Sequence, residues 1–581
     1  MVETDGDNVV LHDFSWTYDA KDNVTALTES IGGKSFSYTY AYDDDSRPTT
    51  FGYGDVTKQI TYDGHGRSSG TTVKNGSRTV LGTGYAYRDV DSTYTTTQVK
   101  SVTNSYGGKT ANFNYTYDAN GNILSVSGDQ TVTYEYDDLG QLVWEKNATA
   151  GKAWNYTYDN GGNILSRTEY ACSGSGTVSG SGTTTSYTYG DAEWGDLLTA
   201  YNGEAISYDG IGNPLSYRGL TMNWQGGRQL ASMTKGSDTL SFAYNESGLR
   251  TSKTVNGVTH SYVWQGSKLA ADITDAYALY FHYDSSGEVM GFTRTANGTD
   301  TEYFYVKNFQ GDILKVITAT GTEAAVYTYD AWGKLLTSSG DMADVNPLRY
   351  RGYYYDVETG LYYLQSRYYD PGTCRFINPD AFATTDADGI LSANMFAYCE
   401  NNPVRNTDIT GAIGVGTLIR AATGAVTSLI SGIAAGDRGV ELLVDVGVGA
   451  LSSALNTPLA SAAVAAYDAY KCYRDGVSIE GCVIVFVSEF AASFVSGGSF
   501  KNGFFGKGIW DELGKAAFDL SIGFAVNFTA SQVSTNVAEN LYMTESTPGG
   551  KSSNQRASNL AYIEPVQVMH YGGGTWRMVT R

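Results

Sequence analysis

Polar and apolar residues alternate along most of the first 340 positions, and the same short polar word breaks the alternation again and again. FNYTYDANGNILSVSG (113–128), VTYEYDDLGQLVWEKN (132–147) and WNYTYDNGGNILSRTE (154–169) are three copies of one pattern. Further copies lie at 206–219, 240–253, 279–294, 304–316 and 325–339, with looser ones at 14–27 and 60–69. Period-2 alternation such as Tyr134-Glu135-Tyr136 predicts half-buried strands. The Asp-x-x-Gly that follows predicts a tight turn, with Asp bonding the backbone ahead and Gly supplying a positive φ. The next strand starts at once with Asn-Ile-Leu or Gln-Leu-Val. Each unit is therefore a predicted β-hairpin, and tandem hairpins must stack to bury their apolar faces. Anchor tyrosines Tyr117, Tyr136, Tyr158, Tyr208, Tyr244, Tyr262, Tyr283, Tyr305 and Tyr329 mark the copies, roughly 20 residues or twice that apart. Sparse proline and dense glycine fit long sheets with tight turns, and CSGSGTVSGSGTTTS (172–186) reads as a flexible loop.

The pattern stops at a different kind of segment. Between Arg349 and Phe376 stand eight tyrosines together with Arg349, Arg351, Arg367 and Arg375, and residues 347–411 hold four of the nine prolines. Such density of aromatic, cationic and rigid residues predicts a packed seam that closes the repeats. After Gly411 the composition turns to Ala, Gly, Ser and Val. In IGVGTLIRAATGAVTSLISGIAAG (413–436), Gly416, Gly424, Ser428, Gly432 and Gly436 share one helical face, a spacing that lets helices approach closely and is common in membrane pairs. Arg420 leaves apolar runs shorter than the ~18–20 residues needed to span a bilayer. The stretches Val446–Ala466 and Val483–Val495 contain Asn456, Thr457 and Pro458, and Glu489, respectively. Packed helices are the first expectation for this tail, and membrane contact is the second. The pattern divides the chain into a repeat β-shell (1–346), the seam (347–411) and a mostly helical α or α+β tail (412–581) ending in a β-hairpin.

Charge sharpens this division. The formal net charge is −22, and residues 412–581 contribute 11 Lys+Arg against 13 Asp+Glu, which leaves −20 on the front section. An acidic front argues against nucleic-acid binding by the shell, because phosphate contacts need clustered cations. Cys172, Cys374, Cys399, Cys472 and Cys482 have no metal-ligand spacing and read as ordinary thiols. No metal or cofactor site is predicted. The acidic N-terminus MVETDGDNVV does not read as a secretory signal, and repeats starting almost at residue 1 are expected of the C-terminal part of something longer. In the tail, Glu564, His570 and Arg577 contain the acid, base and cation of an RNA-cleaving set. A plain hairpin turning at Gly572-Gly573-Gly574 accounts for the same residues.

The repeated Tyr-Asp-x-x-Gly-x-(Leu/Ile) resembles the YD repeats of Rhs proteins. RYRGYYYDVETGLYYLQSRYYDPGTCRFINPD followed by YCENNPVRNTDITG resembles the Rhs repeat-associated core domain. The resemblance covers about 70% of the chain. It implies a spiralling antiparallel β-sheet forming a hollow shell, incomplete here, closed by the core domain and carrying a variable C-terminal domain. The function it implies is an encapsulation and delivery scaffold of a bacterial polymorphic toxin system, secreted or at the cell surface. The implied partners are its own C-terminal domain, inside or against the shell, and an immunity protein. The alternative is a cell-surface scaffold binding carbohydrate or another cell, with a non-catalytic tail.

The resemblance also implies chemistry. Some members cut themselves just after the seam through a pair of aspartates helped by an arginine. Close carboxylates push their pKa values apart, so that one holds a proton while the other activates water. Matched position by position, Arg375 corresponds to the arginine before the family's Asn/Asp-Pro step. Asp386 and Asp388 lie where an upstream catalytic aspartate is found, and Asp408 falls on the aspartate of the terminal Asp-Pro-x-Gly-Leu. This chain departs from that word at Ile409 and Ala412, and Thr410 stands where some members have a second carboxylate. The alternative is structural: Asp380 and Asp408 cap turns, and Arg375 pairs with one of them.

Overall fold

A computed structural model describes residues 2–4, 10–21, 23–89, 95–380, 391, 394–411, 568–572 and 575–579. The chain divides into two compact units, Met1–Val464 and Ala465–Arg581. In the first, each strand pairs antiparallel with the next in sequence. One such meander runs from Val2–Thr4 to Glu204–Ala205 and a second from Ser207–Tyr208 to Leu335–Ser339, giving open sheets of 18 and 14 strands. Four short strands follow in the seam: Tyr354–Asp356, Leu361–Tyr363, Tyr368–Asp370 and Arg375–Phe376. In the second unit the described strands Val568–Gly572 and Thr575–Val579 pair as the expected hairpin, with His570 opposite Arg577 in the register. The helices expected for the tail lie outside the described residues.

The repeat word builds each hairpin from local chemistry. At Asp137, Oδ1 accepts the backbone N–H groups of Leu139 (3.0 Å) and Gln141 (2.9 Å), and Oδ2 accepts the Gln141 side-chain amide (2.7 Å). Gly140 takes φ +80°, which costs an L-residue energy and glycine nothing. The residue after the glycine thus has a task that the bare word leaves hidden. Asn122 and Asn163 return to Asp118 and Asp159, Asn213 to Asp209 and Arg67 to Asp63; Arg47 returns to Asp43 in the same way after Ser46, which takes the positive φ in place of glycine.

A register shift sits at the anchor tyrosine, for example between Glu135 and Tyr136. Such a bulge re-aims a side chain, and here the ring lies against the preceding hairpin. The Tyr136 hydroxyl donates to the Ile123 carbonyl at 2.7 Å. Eleven tyrosines do the same, at Tyr42, Tyr62, Tyr87, Tyr117, Tyr136, Tyr158, Tyr189, Tyr208, Tyr244, Tyr283 and Tyr329, over 2.6–3.1 Å. Trp224 and Trp264 supply the rung through their indole N–H. Two expected anchors are not rungs. Tyr262 donates to Tyr354 and Tyr305 to Asn346, so both reach towards the seam. Tyr18, which has no such carbonyl partner among the described residues, is 58% exposed.

The two sheets and the seam share one core. Buried Lys58 of the first sheet meets Asp284 of the second at 2.6 Å, and Arg167 meets Asp330 at 2.5 Å. Gly107 and Gly321 approach so closely that a Cβ on either would overlap the other backbone. The seam lies across successive hairpin turns. Asn402 Nδ2 bridges Asn122 Oδ1 (3.0 Å) and the Gly140 carbonyl (2.8 Å). Asn401 Nδ2 bridges Gln141 Oε1 (2.9 Å) and the Gly162 carbonyl (2.7 Å), and Asn394 reaches Asn163 and Gly161. Asn401 and Asn402 each span neighbouring turns, using the side chain that follows the turn glycine, while Asn394 grips the single turn 159–163. On the second sheet, Arg250 grips Asp356, Tyr362 and Tyr369 donate to the carbonyls of Gly333 and Trp332, and Arg351 faces Asp312.

Candidate functional site

The last described turn of the seam collects its charge around one guanidinium. Between the strands Leu361–Tyr363 and Tyr368–Asp370 the chain reverses with Gln365 at φ +63°, and the Leu364 N–H closes on the Arg367 carbonyl at 2.9 Å. This reversal drives Arg367 inward, where it is 5% exposed with its guanidinium 3.5 Å above the Phe376 ring. Nη2 lies 3.0 Å from Asp380 Oδ2 and 3.3 Å from Asp408 Oδ2, and Nη1 donates to the Met395 carbonyl at 2.9 Å. Nε donates to the Gly411 carbonyl. Burial lowers the Arg367 pKa, while Asp380 and Asp408 oppose that shift.

The exit segment is held through the peptide groups on both sides of the Gly411 Cα. The Gly411 N–H donates to Asp408 Oδ1 at 2.8 Å, and the Thr410 carbonyl accepts the Ser366 N–H (3.1 Å) and hydroxyl (2.7 Å). Gly411 has φ +71°, and a Cβ there would stand 2.7 Å from the Leu364 carbonyl and 2.9 Å from Ser366 Oγ. Asp408 is 1% exposed, and its own N–H donates to the Tyr353 hydroxyl, which meets Tyr398 at 3.0 Å. Asp380 is fixed through its backbone, its N–H bonding the Met395 carbonyl at 2.9 Å. The cluster therefore sets two carboxylates on one cation, and that cation also holds the carbonyl that precedes Ala412.

Of the residues expected from sequence, Asp408 is in this cluster. Arg375 is not: its guanidinium donates to Asn163 Oδ1 (3.0 Å), the Tyr189 hydroxyl (2.8 Å) and the Asp196 carbonyl (2.7 Å). It clamps the 159–163 turn, and the expected pairing with Asp380 or Asp408 is made by Arg367 instead, because Arg367 precedes the strand Tyr368–Asp370 whereas Arg375 pairs with Asp370 at that strand's other end. Asp386 and Asp388 lie outside the described residues. Arg367 and Asp380 went unassigned as chemistry in the sequence, where Arg367 is one of four arginines and Asp380 reads as a turn cap. No group of side chains suited to a metal ion occurs among the described residues.

The Teneurin YD-shell family model matches residues 2–147, 54–218 and 129–404, overlapping spans that run through both sheets and most of the seam. The chain belongs to this YD-shell family. Curated relatives include the tRNA3(Ser)-specific nuclease WapA of Bacillus spizizenii, 39% identical over 222 residues (37% of this chain, 9% of the relative). Another is the tRNA(Glu)-specific nuclease WapA of Bacillus subtilis subsp. natto, 32% identical over 312 residues (52% and 11%). The double-stranded DNA deaminase toxin A of Burkholderia cenocepacia is 26% identical over 346 residues (52% and 22%). The YD-shell chain thus aligns with only about a tenth of the length of the WapA proteins. Among solved structures, the Photorhabdus luminescens Tc holotoxin pore superposes with TM-score 0.52 at 19% identity, over 69% of this chain and 21% of that one. At that identity the likeness speaks for the fold: a YD shell of open antiparallel sheet.

Proposed function

We propose that this YD-shell chain is the closing part of an Rhs-type encapsulation and delivery scaffold of a bacterial toxin system. Residues 1–346 form the wall, 347–411 the seam that closes it, and 412–581 a carried effector-like domain that is cut free at the seam edge. The observation that carries this reading is the exit segment. Both sheets grip the seam, and its last described residue, Gly411, presents its carbonyl to a buried arginine flanked by two carboxylates. WapA nucleases and a deaminase toxin among the relatives support an effector after such a wall, and favour export to the surface or medium. The carried domain is the first partner and an immunity protein the second; contact of the tail with a membrane is a further arm of the same test. Carbohydrate binding has less support, because the ladder tyrosines spend their hydroxyls on neighbouring hairpins.

In the proposed cut, water attacks the Gly411 carbonyl carbon with one carboxylate taking its proton. Arg367 steadies the oxyanion, a task for which a preplaced donor is effective. The other carboxyl gives its proton to the Ala412 nitrogen as the C–N bond breaks. Asp408 and Asp380 are the two acids, and Arg367 replaces Arg375 as the cation. Intact-mass measurement of the purified 581-residue chain is the test. The wild type yields two fragments meeting at 411/412, while Asp408→Asn, Asp380→Asn and Arg367→Met stay whole. An uncut wild type refutes the cleavage. Growth arrest of bacteria expressing residues 412–581, in the cytosol or exported to the membrane's outer side, tests the effector. Its absence in both places would leave the scaffold without a cargo.

A further inference from the structure

The cut site is made of seam residues, but part of what holds Asp380 in place belongs to the wall. The Arg228 guanidinium donates through Nη1 to the Asp380 carbonyl at 2.6 Å and to the Pro379 carbonyl. Arg228 lies in the turn between the strands Leu220–Gln225 and Gln229–Lys235 of the second sheet. That turn is itself tied down. The Asn213 amide donates to the Gly227 carbonyl at 2.7 Å while also bonding Asp209 Oδ2 at 2.8 Å, so a repeat turn sets the position of Arg228. The neighbouring wall packs on the same dipeptide. A Cβ added to Gly212, at φ +84°, would stand 2.9 Å from the Trp194 ring and 3.0 Å from the Pro379 ring, so glycine leaves the room in which Pro379 lies.

We propose that Arg228 is a positioning residue that couples closure of the wall to the cut: Asp380 reaches its place beside Arg367 only when the second sheet has delivered Arg228 to the Pro379 and Asp380 carbonyls. This inference rests on the self-cleavage proposed above and adds its control. A chain whose seam has not docked on the second sheet lacks the Arg228 contact, leaves Asp380 unplaced and keeps its tail attached. The wall is thereby checked before the tail is released. Arg228 touches neither the Gly411 carbonyl nor the attacking water, and acts through the backbone that carries Asp380. Its charge also reaches the site, where it opposes protonation of Arg367. The charged groups around it are Arg367, Asp380 and, from the repeat turn, Asp209.

The test follows release of the tail by the full-length chain during refolding, by intact mass, across pH 4–9, in wild type, Arg228→Gln, Arg228→Lys and Asn213→Ala. A misplacement of about 1 Å at a catalytic group costs on the order of 100-fold in rate. Arg228→Gln is therefore expected to slow the cut about 10- to 100-fold and to move its carboxylate-dependent limb to higher pH, because a cation beside Asp380 is gone. Arg228→Lys restores part of the rate, and Asn213→Ala slows it without changing any charge at the site. Thermal unfolding of the uncut Asp408→Asn background, with and without Arg228→Gln, separates positioning from stability. Wild-type cleavage with an unchanged rate and pH limb in Arg228→Gln overturns this inference and leaves the cleavage standing. A loss of rate matched by a loss of the folded state overturns it also. A wild type that never cuts overturns the cleavage itself.

Discussion

Arg250 is the rivet between wall and seam, and its removal has a calculable cost. It is fully buried on the second sheet and holds seam residue Asp356 through two bonds, at 2.8 and 3.1 Å. Its guanidinium also lies 4.4 Å from the Tyr363 ring centre and 4.9 Å from that of Tyr354. Replacing Arg250 with Met fills similar volume but leaves the 1%-exposed Asp356 with Lys253 as its remaining close cation, at 3.0 Å. Breaking one partner out of a buried pair costs about 3–5 kcal/mol, and the retained lysine places this case near about 3 kcal/mol. Burial alone would raise the Asp356 carboxyl, but Arg250 and Lys253 prevail and hold it below the ordinary 3.8. A depressed carboxylate contributes stability that is present above that value and lost as the pH falls through its folded pKa. The penalty of Arg250→Met should therefore be complete at pH 7 and shrink below about pH 4. Urea unfolding followed by tyrosine and tryptophan fluorescence, at pH 7 and pH 3.5, reads both effects. In the double variant Arg250→Met/Asp356→Leu, removal of the stranded charge should restore at least half of the loss. A single-variant loss below about 1 kcal/mol, or strict additivity in the double variant, would refute the rivet.

Other changes probe the repeat and the docking. Tyr136→Phe removes one rung to the Ile123 carbonyl and should cost about 1 kcal/mol by urea unfolding; no change would mean that the rung hydroxyls are equally well served by water. Asn402→Ala strips the Gly140 carbonyl of a donor while Arg405 still serves Asn122 Oδ1, for a loss of about 2 kcal/mol and faster amide exchange in 394–411. Glu29 is pushed up to about 7 by burial, so the stability it contributes is full below about 4.5 and is lost as the pH rises through 7. Glu29→Gln should therefore raise the Tm at pH 8 and leave it unchanged at pH 4. His282 is held down to about 3 by burial, with Tyr38 bonding both it and Glu29. Its contribution is present above about 6.5 and lost as the pH falls towards 3, so His282→Gln should flatten the acid side of the Tm profile.

The hairpin repeat was legible because its causes are local. Asp137, Gly140 and Gln141 meet within five positions, so alternation and a turn word suffice to place strands and bulges. The seam was legible as a change of composition at Pro347 and Gly411, since eight tyrosines and four arginines in one short stretch demand a dense environment. Long-range pairing decided the rest. Nothing in the sequence says whether the anchor tyrosines face solvent; neighbouring hairpins present the carbonyls that take their hydroxyls. Only the stacking of three repeats gives the Asn401 and Asn402 amides the acceptors that they bridge. The choice between Arg367 and Arg375 was beyond reach for the same reason. Both lie in the seam, eight positions apart, and the segment that carries each one is aimed by contacts with residues more than 25 positions away. The sequence by itself determined the repeat, its turns and the boundary after the seam, because those follow from neighbours in the chain. The tertiary structure alone decided which arginine meets Asp380, Asp408 and the Gly411 carbonyl, because a buried charge is placed by everything that folds around it.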